Sequence, residues 1–163
     1  MNIPLLALAT VLATIGPTHA AHAANDTQLQ RLALCQDSWH DWKDDEARMA
    51  RFVNSFESRF SRSAEGDAFT PKSETKVMGH AVTRVHPQSV GMGVGFSLVV
   101  DANSTKARAG IEQQLGKPMH CSVSEGVRSC EFKLSPSKTV LLMTGQSGQA
   151  STSLMGCYYF YQQ

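Results

Sequence analysis

Two rhythms divide this chain. Apolar side chains recur at Leu29, Leu32, Cys35, Trp39, Trp42, Met49, Phe52, Val53, Phe56 and Phe60. Steps of three and four dominate, which is the spacing of one helical face. Asn25-Asp26-Thr27 supplies capping chemistry at the start, so residues 26–62 read as helical to about Arg62. Asp44-Asp45-Glu46 could cap a second helix, which leaves one long N-terminal helix or a helical hairpin. Ser63 to Ser73 is polar, contains Gly66 and Pro71, and reads as a linker.

The period then changes to two. Lys76 to His86 reads as a strand that stops at Pro87. Val90 to Asp101 is the clearest strand, with Val90, Met92, Val94, Phe96, Leu98 and Val100 on one face. Gly91, Gly93, Gly95, Ser97 and Val99 make up the other. Asn103-Ser104 caps a short helix over Thr105–Leu115, which Gly116 and Pro118 end. Four short strands follow: Met119–Ser124, Val127–Leu134, Thr139–Thr144 and Ser153–Tyr161. The order predicts an α+β fold: an antiparallel sheet of about five to six strands, with the N-terminal helical segment and one short helix on one face.

Ahead of all this, residues 1–23 carry no charged side chain. An apolar run from Ile3 to Ile15, the Gly16-Pro17 break and Ala21-His22-Ala23 have the layout of a cleavable export signal. Cleavage near Ala23 leaves residues 24–163 as one α+β domain, periplasmic or secreted. The apolar run is too short to span a bilayer, and membrane insertion is not expected.

The cysteines agree with export. All four follow the signal, and no C-x-x-C motif points to redox catalysis. A two-residue turn at Glu125-Gly126 sets Cys121 opposite Cys130, at a non-hydrogen-bonded position where the backbones are close enough for a disulfide. Cys35 is then left for Cys157, tying the N-terminal helical segment to the last strand.

Ser104-Thr105, Ile111 and Leu115-Gly116-Lys117-Pro118, leading into this hairpin, resemble the helix-to-strand step of two small envelope modules. These are the outer-membrane-assembly lipoprotein module of the SmpA type and the half-domain of β-lactamase-inhibitor proteins. The likeness covers about 30 residues. It implies a module that binds another protein rather than an enzyme.

Charge narrows the partners. Fifteen basic and fourteen acidic residues leave a net charge of +1. No dense basic stripe suits a phosphate backbone, so nucleic acid is not an expected partner. Gly91-x-Gly93-x-Gly95 has the wrong spacing for a dinucleotide loop, and no cofactor is expected. His80 and His86 fall on one face of the predicted strand. Joined by His120, they would give a small secreted hydrolase or nuclease-like enzyme its general acid and base. Six residues of strand separate the first two by roughly 20 Å, so no metal site is expected from them.

The last strand offers a surface instead. With Cys157 turned to the helices, Met155, Tyr159 and Tyr161 enter the core. Leu154, Tyr158 and Phe160 then point out of the opposite face, and large rings on such a face mark binding surfaces. Leu154, Tyr158 and Phe160, with the bare strand Gly91, Gly93 and Gly95, form the candidate protein-binding site. An inhibitor or immunity protein, or an envelope-assembly accessory, fits this reading. A structural homodimer that buries the same face is the other alternative.

Overall fold

The structure, a computed structural model, describes residues 25–38, 42, 44–64, 67–87, 94–144 and 151–159. It shows three helices, α1 (Thr27–Ala33), α2 (Glu46–Arg59) and α3 (Ser104–Leu115). The strands are β1 (Phe60–Arg62), β2 (Phe69–Pro71), β3 (Lys76–Val77), β4 (His80–His86) and β5 (Val94–Val100). They continue with β6 (His120–Ser124), β7 (Val127–Ser135), β8 (Lys138–Thr144) and β9 (Ser153–Tyr159). The strands pair antiparallel in the order β1-β2-β4-β5-β9-β8-β7-β6, with β3 added to β4. The fold is α+β, but its sheet has nine strands among the described residues rather than five or six.

The three extra strands have local causes. Phe52, Phe56 and Phe60 sit four apart, and the helical rhythm runs through all three. The helix nevertheless ends at Arg59, and Phe60 is already extended. Ser61 and Arg62 pair with Thr70 and Phe69, so the expected linker contributes β2. The strand expected over Lys76–His86 is broken at Met78-Gly79. Both residues have positive φ, at 51° and 79°, which is a tight hairpin turn. Met78 hides this turn because it continues the apolar alternation.

The long N-terminal helix is not present. α1 ends at Ala33, and Cys35 takes a left-handed backbone, φ 56°. Asp26 caps α1 by accepting from the Leu29 N–H at 3.0 Å, and Asp45 caps α2 through the Arg48 N–H at 2.9 Å. Asp37 connects the two segments. It pairs with the Arg48 guanidinium at 3.0 Å and accepts from the Trp42 indole at 3.0 Å. Arg59, at the end of α2, pairs with the capping carboxylate Asp26.

The core lies on one face of the sheet. α1 packs on β9 and β5, and α3 packs on β8 and β9. Leu29, Leu32, Ala33 and Leu34 are buried against Phe96, Leu98, Val100, Met155 and Val140. Ala107 and Ile111 bring α3 into the same cluster. Asn103 caps α3 through the Lys106 N–H at 3.0 Å, and Gly116 ends it in a left-handed conformation.

Both expected disulfides are present. Cys121 stands opposite Cys130 across the Glu125-Gly126 turn, whose residues have φ 52° and 78°. Their Cα atoms are 4.0 Å apart. Cys35 bridges to Cys157 with 5.0 Å between Cα atoms, joining the end of α1 to the middle of β9. Two such bridges suit an oxidising, extracellular or periplasmic environment. No helix among the described residues is long and apolar enough to cross a membrane.

Candidate functional site

The sheet face away from the helices is defined by register. Strand by strand it carries Arg84 and His86, then Gly95, Ser97 and Val99, then Leu154, Gly156 and Tyr158. Thr139, Leu141 and Met143 follow on β8, Ser129, Glu131 and Lys133 on β7, and His120 and Ser122 on β6.

Of the residues chosen from sequence, Leu154, Tyr158 and Gly95 lie on this face. Gly91, Gly93 and Phe160 lie outside the described residues. Tyr158 departs from expectation: it is 4% exposed and does not stand in solvent. Its neighbours across the strands are Gly95 and Thr139. Burial pushes the Tyr158 phenol up from its ordinary pKa, and the neighbouring Ser97 hydroxyl works against that shift.

Gly95 is buried for a mechanical reason. A Cβ there would collide with the carbonyl oxygen of Cys157 on β9. The bare glycine therefore allows close approach of two strands.

Leu154 keeps an open side. Together with Val99, Val127 and Met143 it lines a groove of about 380 Å³, closed off by Thr144, Thr152 and Ser153. Three of these apolar residues come from three adjacent strands of the outer face. Val99 and Met143 escaped sequence reasoning because they belong to different strands, and only the order β5-β9-β8 makes them neighbours. A smaller cavity, about 130 Å³, lies between α2 and β2, lined by Phe52, Val53, Phe56 and Phe69.

The histidines do not converge. β4 has a bulge between Val82 and Arg84, which reverses the facing of everything beyond it. His80 therefore faces α3, beside Gly110, whereas His86 faces the opposite side, beside Ser97. The expectation that His80 and His86 share a face is corrected by this one extra residue. His120 is on the same face as His86. The register runs His86, Ser97, Gly156, Leu141, Glu131, His120 across six strands. Five interstrand spacings separate the two imidazoles by roughly 24 Å. No cluster of three or more His, Cys, Asp or Glu suited to a metal occurs among the described residues.

His86 has a consequence for stability. Burial, and secondarily the Arg84 guanidinium, lower its pKa below the ordinary value of 6.5. The unfolded chain therefore takes up this proton first as pH falls. Stability is expected to fall as pH drops from above 6.5 toward the lowered pKa, and to be insensitive to His86 at higher pH. His86→Gln should flatten this slope in thermal midpoints measured from pH 7.5 down to about 5.5. A slope identical to that of the parent protein would contradict the assignment.

No family model, curated protein or solved structure matches this chain.

Proposed function

We propose that this protein is an exported, disulfide-stapled module that binds another protein through the outer face of its sheet. The observation that carries this reading is the groove formed by Leu154 with Val99, Val127 and Met143. It is apolar, it opens on the face away from the helices, and it is built on strands rather than loops. A contact surface on paired strands keeps its shape on binding and loses little entropy. The uncharged N-terminal segment and its Ala21-His22-Ala23 site supply the export signal, with cleavage near Ala23. The Leu115-Gly116-Lys117-Pro118 step before the disulfide hairpin resembles that of protein-binding envelope modules, and points the same way. Neutralising a secreted enzyme and assisting envelope assembly are the roles that suit it. The scattered histidines give no support to a hydrolase or nuclease reading.

The oxidised protein, immobilised as bait over an extract of its own envelope and secretions, is expected to retain one protein in stoichiometric amount. Leu154→Lys places a charge in the groove and should reduce that retention at least tenfold, with the far-ultraviolet spectrum unchanged. An empty bait shown to be folded would defeat the proposal, as would equal retention by the variant.

A further inference from the structure

The strand order ends at β1 and β6, and the two-residue β3, off this path, is bridged on its other side by Asn25. β1 has three residues and continues directly from α2, so it offers little to pair with. β6 is different. Its five residues, His120-Cys121-Ser122-Val123-Ser124, include no Lys, Arg, Asp, Glu or Pro. Its pairing with β7 runs without a bulge from His120/Glu131 to Ser124/Val127. Lysine, proline, bulges and covering segments are the usual protections of an edge. None operates here among the described residues. The Cys121–Cys130 disulfide also pins the strand in place.

The free backbone groups follow from the two-residue turn. Ser124/Val127 closes it as a hydrogen-bonded pair, so the N–H and C=O groups of Ser124, Ser122 and His120 point to β7. Those of Cys121 and Val123 point away from the sheet. Val123 is also 64% exposed, the most exposed large apolar side chain among the described residues.

We propose that β6 pairs antiparallel with the β6 of a second copy about a two-fold axis at Ser122. In that register Cys121 faces Val123 of the other copy, and Val123 faces the other copy's Cys121. Both are pairs of outward-facing residues, so four interchain hydrogen bonds form and every free backbone group of Cys121 and Val123 is used. Residues directly opposite share a face, so each exposed Val123 lies against the disulfide of the other copy. Ser124 meets His120, and Ser122 meets itself, so no like charges are opposed. This self-complementarity favours a second copy over an unrelated extended segment. The surface adjoins the Leu154 groove only at Val127, the partner of Ser124, and two joined copies would display that groove twice.

A five-residue edge is far smaller than a standard stable interface, so association is expected to be reversible at high micromolar to millimolar concentration. Sedimentation equilibrium of the oxidised protein should show the mass rising to twice that of one chain. Val123→Pro removes an outward N–H and no bond to β7, and should weaken association at least tenfold. Ser122→Cys places two thiols at the axis, at the close spacing of a non-hydrogen-bonded pair. It should give a covalent dimer on mild oxidation. Ser124→Cys, which faces His120 instead, should not. A one-chain mass at all concentrations would overturn the proposal. So would a dimer in which Ser122→Cys fails to crosslink, or in which both cysteine variants crosslink alike.

Discussion

Replacing Cys35 and Cys157 together by alanine is expected to lower the stability of this protein by about 5 kcal/mol. The bridge spans 122 residues of sequence, so its removal frees a very large loop in the unfolded chain. The native state loses its anchor as well. α1 has only seven residues, too few to hold a helix in isolation. Its buried Leu29, Leu32, Ala33 and Leu34 would then stay on β9 and β5 by apolar contact, with polar ties only to other elements, such as Asp26 to Arg59 and to the Lys76 carbonyl. The companion variant, Cys121 and Cys130 to alanine, opens a loop with a sequence separation of only nine. It should cost roughly 2–3 kcal/mol by the same model. Urea denaturation of the two double variants reads both numbers. Equal losses would mean that loop entropy is not what these bridges contribute.

The second large effect is expected at Gly156. This residue faces Ser97 across β9 and β5. A Cβ at Gly156 would fall 2.6 Å from the Ser97 Cβ and 2.7 Å from its Cα, and would collide with the Phe96 carbonyl oxygen. All three atoms belong to β5, and none is the far end of a flexible side chain that could yield. Gly156→Ala, a single added methyl, should therefore cost about 3 kcal/mol through forced separation of the two central strands. Gly79→Asn is the matching control. Gly79 has φ 79° and open space around its missing Cβ, and asparagine tolerates that conformation better than most residues. Its unfolding midpoint should fall much less than that of Gly156→Ala. A Gly156→Ala protein as stable as the parent would show that β5 and β9 are not so closely apposed.

What the sequence disclosed was local chemistry. Glu125-Gly126 fixed a turn type, and the turn fixed the register that joins Cys121 to Cys130. Asn103 and Gly116 marked the two ends of α3. Phe96, Leu98 and Val100 were legible as core from alternation alone. The misses arose where two patterns overlap. Phe60 satisfies both a helical spacing and the first position of a strand. Met78 satisfies strand alternation while its backbone turns the chain. The bulge at Thr83 leaves no compositional trace, yet it decides which way His86 faces. The groove at Leu154 was half legible. One of its residues came from the pattern of β9, but Val99 and Met143 join it only through strand order. Tyr158 was not legible as buried, because alternation gives the face a residue occupies and not what covers it.

The place of β9 carries a consequence for how the molecule is made. It follows every other strand in the chain, yet it lies between β5 and β8. Until it arrives, the sheet is two unconnected halves, β1-β2-β4-β5 and β8-β7-β6. The hairpins within each half can form as the polypeptide emerges from a ribosome, but the two halves join only through β9. Pairings between distant segments are slow because loop closure precedes any gain in contact energy. The order of strands thus postpones completion of the sheet until synthesis has passed residue 159.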